Sequence, residues 1–178
     1  MNFILIGIPG SGKTTLGKKA ADVLGMEFYD TDAAASDRVR PGKKILTVSR
    51  FTSELVKAEK IVVKKIAKNA KNAVIATGAE TVLFDYNMQA LRRIGRFIHI
   101  KRDPDRMIRE IQKEFTPNPE EPNAHDVREL MVHIYRDEIP EYEELADFTL
   151  ENDGDEAAGL EKLTNIIRSE QNPEFRQT

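Results

Sequence analysis

Residues 7 to 15 read Gly-Ile-Pro-Gly-Ser-Gly-Lys-Thr-Thr and directly follow the apolar run Phe3-Ile4-Leu5-Ile6. The spacing is G-x-x-x-x-G-K-[ST], placed where a strand would end and a helix begin. A segment of this kind handles phosphate for mechanical reasons. Gly7, Gly10 and Gly12 let the chain curl until successive backbone N–H groups converge on one point. A helix starting near Lys13 adds the positive end of its dipole to that point. Lys13 would reach the β- and γ-phosphates as a point charge, and the Thr14 hydroxyl would ligate Mg²⁺. The expected ligands are ATP and Mg²⁺, with Gly10, Ser11, Gly12, Lys13, Thr14 and Thr15 forming the nucleotide cradle.

A second constellation lies about twenty residues on. Phe28-Tyr29-Asp30-Thr31-Asp32 ends a strand candidate with carboxylates at i and i+2, which point the same way in an extended chain. At the C-terminal edge of a parallel sheet both would face the crevice where phosphate is held. One can ligate the Mg²⁺ water shell, and the other can orient or deprotonate an attacking hydroxyl. The competing reading is an Asx-type turn in which each carboxylate caps nearby backbone. His99, His125 and His133 show no ligand spacing, and His99 reads as a packed core residue of a strand.

The elements that must position these groups alternate between short β-type runs and longer helical patterns, which predicts a parallel sheet flanked by helices. Strands are expected at Phe3 to Ile6, Glu27 to Tyr29, Ala73 to Ala76, Arg96 to Ile100 and Phe148 to Leu150. Helices are expected over Lys13 to Leu24, closed by Gly25, over Ser53 to Ala70, and over Tyr86 to Ile94. Asp103-Pro104 opens another, to about residue 113, and two more cover 124 to 139 and Glu156 to Ile167. Residues 33 to 51 read as a functional loop carrying Arg38, Arg40, Lys43, Lys44 and Arg50. Residues 115 to 123, with three prolines, read as a stiff surface flap.

Composition narrows the function classes. The chain of 178 residues is expected to form one domain, with residues 171 to 178 as a frayed tail. Its formal net charge of −3 argues against a nucleic-acid binder held by a basic surface. No apolar stretch approaches the length of a membrane span, and the absence of cysteine excludes disulfides and thiolate metal sites. A cytoplasmic location, no membrane and a monomer or weak homodimer are the expectations.

Taken in order, these segments resemble the shikimate kinase family, small P-loop kinases of the nucleoside-monophosphate-kinase type. The loop continues into Leu16-Gly17-Lys18, Phe28 to Asp32 is similar to the family's F-x-D-x-D, Val74 to Gly78 to the strand entering its G-G-G segment, and Pro140 to Asp147 to its P-x-Y-x-x-x-A-D stretch. The resemblance implies a P-loop NTPase fold: a three-layer α/β sandwich with a five-stranded parallel sheet ordered 2-3-1-4-5. It further implies an acceptor-binding region at 33 to 60 and a lid at 113 to 124. By it, Asp30 would help place Mg²⁺, Asp32 and Gly78 would contact the acceptor, and Arg109 would stack near adenine.

Departures from the family pattern fall on the acceptor and lid side. Val56 and Glu138 stand where the family carries arginines, G-G-G is Gly78-Ala79-Glu80, and no Lys or Arg lies between Lys113 and Arg128. Arg38 and Arg50 are the candidates to compensate, since a guanidinium suits an anionic acceptor. At helical spacing Arg102, Arg106 and Arg109 would share one face. The reading that results is an ATP- and Mg²⁺-dependent kinase acting on a hydroxyl of a small, anionic metabolite, with shikimate as the leading acceptor and Lys13 and Asp32 as catalytic residues. Gluconate-type or nucleoside monophosphate kinases, and an ATP-binding regulatory domain with little transfer activity, are the alternatives.

Overall fold

The computed structural model of the chain describes residues 1–39, 41, 53–103, 106 and 139–172. Its centre is β1 (Asn2–Ile6), every residue of which is buried. To one side lie β3 (Ala73–Ala76) and then β2 (Glu27–Asp30); to the other lie β4 (Gly95–Lys101) and then β5 (Phe148–Glu151). The order is β2-β3-β1-β4-β5 and every pairing is parallel, as the sequence reading expected. Phe3 is in register with Val74 and Arg96, and Ile4 with Ile75 and Phe97.

Parallel strands covered on both faces read as continuous apolar runs because both sides of the pleat are dry. Ile4, Ile6, Ile75 and Phe97 face the layer of α3 (Ser53–Asn69) and α4 (Asp85–Arg92), where Val63, Ile66 and Leu91 meet them. Phe3, Leu5, Val74 and Ile98 face α1 (Lys13–Leu24) and α5 (Glu156–Gln171), against Leu16, Ala20, Leu163 and Ile167. One polar side chain fixes the bottom of this sandwich. Buried Asn2 donates to the carbonyls of Ala70 and Ile94, each at 3.1 Å, and accepts from Ala73 N–H at 3.0 Å. It thereby ties β1 to the ends of two helices and the start of β3.

Three expectations are corrected. Residues 33 to 39 are not loop: α2 spans Thr31–Val39 and packs Ala35 on Leu55 and Ala58 of α3. A 3₁₀ helix, Ala79–Leu83, follows β3 where none was expected. Helix α5 runs to Gln171 rather than ending at Ile167, and the Gln171 amide donates to Asn72 Oδ1 at 3.1 Å. Arg40, Lys43, Lys44, Arg50, Arg109, Glu138, His125, His133, the lid at 113 to 124 and most of the two helices expected on either side of it lie outside the described residues, as do residues 173 to 178. Among the described residues, no helix is long and apolar enough to cross a membrane.

Candidate functional site: a P-loop crevice with paired carboxylates

The crevice forms where β1, β2 and β3 end. Beyond Ile6 the chain turns through Gly7, Gly10 and Gly12 at φ of +142°, +78° and +101°, conformations that L side chains rarely adopt. Gly12 caps α1 without a side-chain hydrogen bond, which leaves the helix N-terminus facing the loop's concavity. A Cβ on Gly12 would also stand 2.7 Å from Asn152 Nδ2. That amide has its own duty. Asn152 is buried and donates to Ser11 O at 2.8 Å, pinning the loop to the end of β5.

Lys13 is largely buried, and its ammonium donates to the carbonyls of Gly7 at 2.5 Å and Ile8 at 2.9 Å. Ser11 is fully buried; its N–H donates to Ile8 O at 3.3 Å, and its Oγ has no hydrogen-bond partner among the described residues. Beneath the loop His99 is 1% exposed and stacks on buried Tyr142 at 5.5 Å between centroids. Burial lowers its pKa to about 4, with the positive charges of Lys101 and Lys13 adding to the shift and Glu143 opposing it. The core reading of His99 holds.

Asp30 and Asp32 do not lie on one extended strand. Asp30 ends β2, and Asp32 sits in the first turn of α2. The cause is local: Asp30 Oδ1 accepts the N–H of Ala33 at 2.9 Å and so N-caps α2. Its other oxygen, Oδ2, accepts from the Thr14 hydroxyl at 2.7 Å. The cap and the contact with the P-loop therefore coexist on one carboxylate. Two hard oxygen donors this close suit Mg²⁺, which binds few protein ligands and keeps waters and phosphate oxygens for the rest. Among the described residues no cluster of three or more His, Asp or Glu could hold a metal ion.

Asp32 borders Gly78 at the end of β3. A Cβ at Gly78 would fall 3.3 Å from Asp32 Cβ, 3.4 Å from its Oδ1 and 3.1 Å from Glu59 Oε1. A side chain at this position would crowd both carboxylates. The glycine's own polar groups are engaged, since Gly78 N–H donates to Thr31 Oγ1 at 2.9 Å and Gly78 O accepts from Thr81 N at 3.2 Å. Glu59 is only 4% exposed and accepts the Thr81 hydroxyl. Arg38 is exposed on the last turn of α2, about 9 Å further along the helix axis than Asp32.

Of the expected arginine face, Arg102 and Arg106 are among the described residues and Arg109 is not. Arg102 precedes the helix start, because Asp103 Oδ1 accepts Arg106 N–H at 2.9 Å as a cap. Arg102 Nη1 instead donates to Gly10 O at 3.0 Å, which brings a second cation to the P-loop. Arg106 donates to the carbonyls of Asp153 and Gly154, just after β5. Sequence reasoning missed Arg102 and Asn152 as loop contacts. Their position just beyond β4 and β5, at the same sheet edge as the P-loop, was the available signal.

Comparison with known proteins decides the family. A family profile described as shikimate kinase matches residues 9–171. The chain is 31% identical over 155 residues to the shikimate kinase of Actinobacillus pleuropneumoniae, covering 85% of this chain and 86% of that one. It is 31% identical over 161 residues to that of Moorella thermoacetica, covering 89% of each. The chain belongs to the shikimate kinase family. Among solved structures, the shikimate kinase of Acinetobacter baumannii in complex with shikimate superposes with a TM-score of 0.78 at 23% identity, covering 96% and 94% of the two chains. That of Bacteroides thetaiotaomicron gives 0.76 at 22%, covering 94% and 98%. These two likenesses establish the shared fold.

Val56 is half-buried on α3 one turn before Glu59. Membership makes the protein a kinase that transfers phosphate to a hydroxyl and uses ATP with Mg²⁺.

Proposed function

We propose that the protein transfers the γ-phosphoryl group of ATP to a hydroxyl of shikimate, giving ADP and 3-phosphoshikimate. The observation that carries the reading is the junction of two half-sites: Thr14 and Asp30 in contact on the nucleotide side, and Asp32 beside Gly78 on the acceptor side. Matching shikimate kinases over most of the chain supports the choice of acceptor.

The roles follow from the chemistry of each group. Amides of Gly10, Ser11, Gly12, Lys13, Thr14 and Thr15 hold the polyphosphate, aided by the α1 dipole. Lys13 exchanges the Gly7 and Ile8 carbonyls for phosphate oxygens and neutralises charge that builds during transfer. Thr14 and Asp30 hold Mg²⁺, which supplies counter-charge to the phosphates when bound. Asp32 accepts the hydroxyl proton or fixes the hydroxyl's direction for in-line attack. Gly78 gives the acceptor room; Arg38 and Arg50 supply charge for its carboxylate, and Arg109 packs on adenine.

Asp32→Ala tests the assignment. Transfer to shikimate should fall by about 10²- to 10⁴-fold, while ATP affinity stays within a few fold of the parent. Loss of ATP binding instead would place Asp32 on the nucleotide side and contradict its role.

A further inference from the structure

The acceptor side contains a hydrogen-bonded chain that crosses three elements. Gly78 N–H donates to Thr31 Oγ1 at 2.9 Å, Thr31 Oγ1 lies 3.2 Å from Thr81 Oγ1, and the Thr81 hydroxyl donates to Glu59 Oε1. Thr31 and Thr81 are fully buried and Glu59 nearly so. Oxygen positions alone leave the direction of the Thr–Thr bond open, but the two ends settle it. A carboxylate oxygen only accepts and an amide N–H only donates. Thr81 therefore spends its single proton on Glu59 and must accept the proton of Thr31, which in turn accepts from Gly78. Every hydroxyl in the chain is used once as donor and once as acceptor, and such a polarised series strengthens each link.

Thr31 is the residue between Asp30 and Asp32, so whatever holds Thr31 also sets the origin of both carboxylates. Glu59 comes from the second turn of α3, Thr81 from the 3₁₀ helix after β3, and Thr31 from the first turn of α2. Gly78 also separates two carboxylates, since a Cβ there would stand 3.1 Å from Glu59 Oε1 and 3.4 Å from Asp32 Oδ1. We infer that Glu59, acting through Thr81 and Thr31, is a positioning residue for phosphoryl transfer: it clamps the Asp30-Thr31-Asp32 segment and the Gly78 backbone in one geometry. This inference rests on the shikimate reading above and adds to it the device that aims Asp32. It also accounts for a buried carboxylate on the acceptor side with no need for contact with the reacting atoms.

Thr81→Val keeps the side chain's shape and removes the relay's central link, whereas Thr81→Ser keeps the hydroxyl. Steady-state kinetics with shikimate and Mg²⁺–ATP, together with ATP titration calorimetry, separates positioning from folding. Thr81→Val should lower kcat by about tenfold or more, as misplacing a reactive group does, with ATP affinity held within about twofold. Thr81→Ser should recover kcat to within about threefold of the parent. Glu59→Gln, which keeps an acceptor but adds a competing donor, should lower kcat less than Thr81→Val and again spare ATP affinity. Wild-type kcat in Thr81→Val, wild-type kcat in Glu59→Gln, or a parallel loss of ATP affinity in either would overturn the inference. An unmutated protein that binds ATP but leaves shikimate unphosphorylated would overturn the shikimate reading itself, and the inference with it.

Discussion

At the residue scale, Asp30 shows how one side chain can serve structure and chemistry together. Its two oxygens divide the work, one capping α2 and one meeting Thr14. His99 does the opposite and contributes by staying neutral. Its pKa of about 4 lies below the 6.5 of an exposed imidazole because burial penalises the cation. Between those values the unfolded chain binds a proton that the folded chain refuses. Stability therefore falls as pH drops through that window. Urea unfolding at pH 7.5 and pH 5 should show His99 costing the protein about 2 kcal/mol over that interval. His99→Phe, which retains the stack on Tyr142, should lose that part of the pH dependence. An identical pH dependence in both proteins would mean that His99 titrates normally.

At the element scale, the strand-to-helix junction at β1 and α1 is the most constrained part of the molecule. Gly12 combines a left-handed conformation with an approach of 2.7 Å between its ideal Cβ and Asn152 Nδ2. Gly12→Ala should therefore distort the loop or expel Asn152 from its bond to Ser11 O, costing roughly 1 to 3 kcal/mol. Calorimetric titration should find ATP affinity lowered by tenfold or more, and unchanged affinity would show that the loop relaxes without effect. The strand, loop and helix start of this junction were legible in the sequence, because they lie within about a dozen consecutive residues, whereas nothing in that stretch marked its contact with Asn152. The start of α2 was readable too: Asp30 followed by Thr31-Asp32-Ala33-Ala34-Ala35 is an N-cap before good helix formers. Treating the two aspartates as extended hid it.

At the scale of the whole molecule, the inner strands β1, β3 and β4 were readable because burial on both faces makes them apolar runs, whereas the sheet order came from the family resemblance. The relay was not readable, since residues 31, 59, 78 and 81 meet only once α2, α3 and β3 have packed. Arg102 and Asn152 were missed for a different reason: their places just beyond β4 and β5 marked them, but they reach the P-loop from about ninety and one hundred and forty residues later. Around the sheet edge these late arrivals fix the loop from outside, while the Asp30-Thr31-Asp32 segment flanks it from β2. The fold thus places the P-loop, Gly78 and the Asp30-Thr31-Asp32 segment at and just beyond the ends of β1, β3 and β2, at the edge where open parallel sheets bind their ligands.

The central claim is phosphoryl transfer from ATP to shikimate, and ADP release measured across a panel of acceptors tests it most directly. With Mg²⁺ and ATP, shikimate should give saturable ADP production matched mole for mole by 3-phosphoshikimate, well above the rates with gluconate and nucleoside monophosphates. Binding of ATP with no shikimate-dependent ADP release, or faster release with gluconate or a nucleoside monophosphate, would contradict the account.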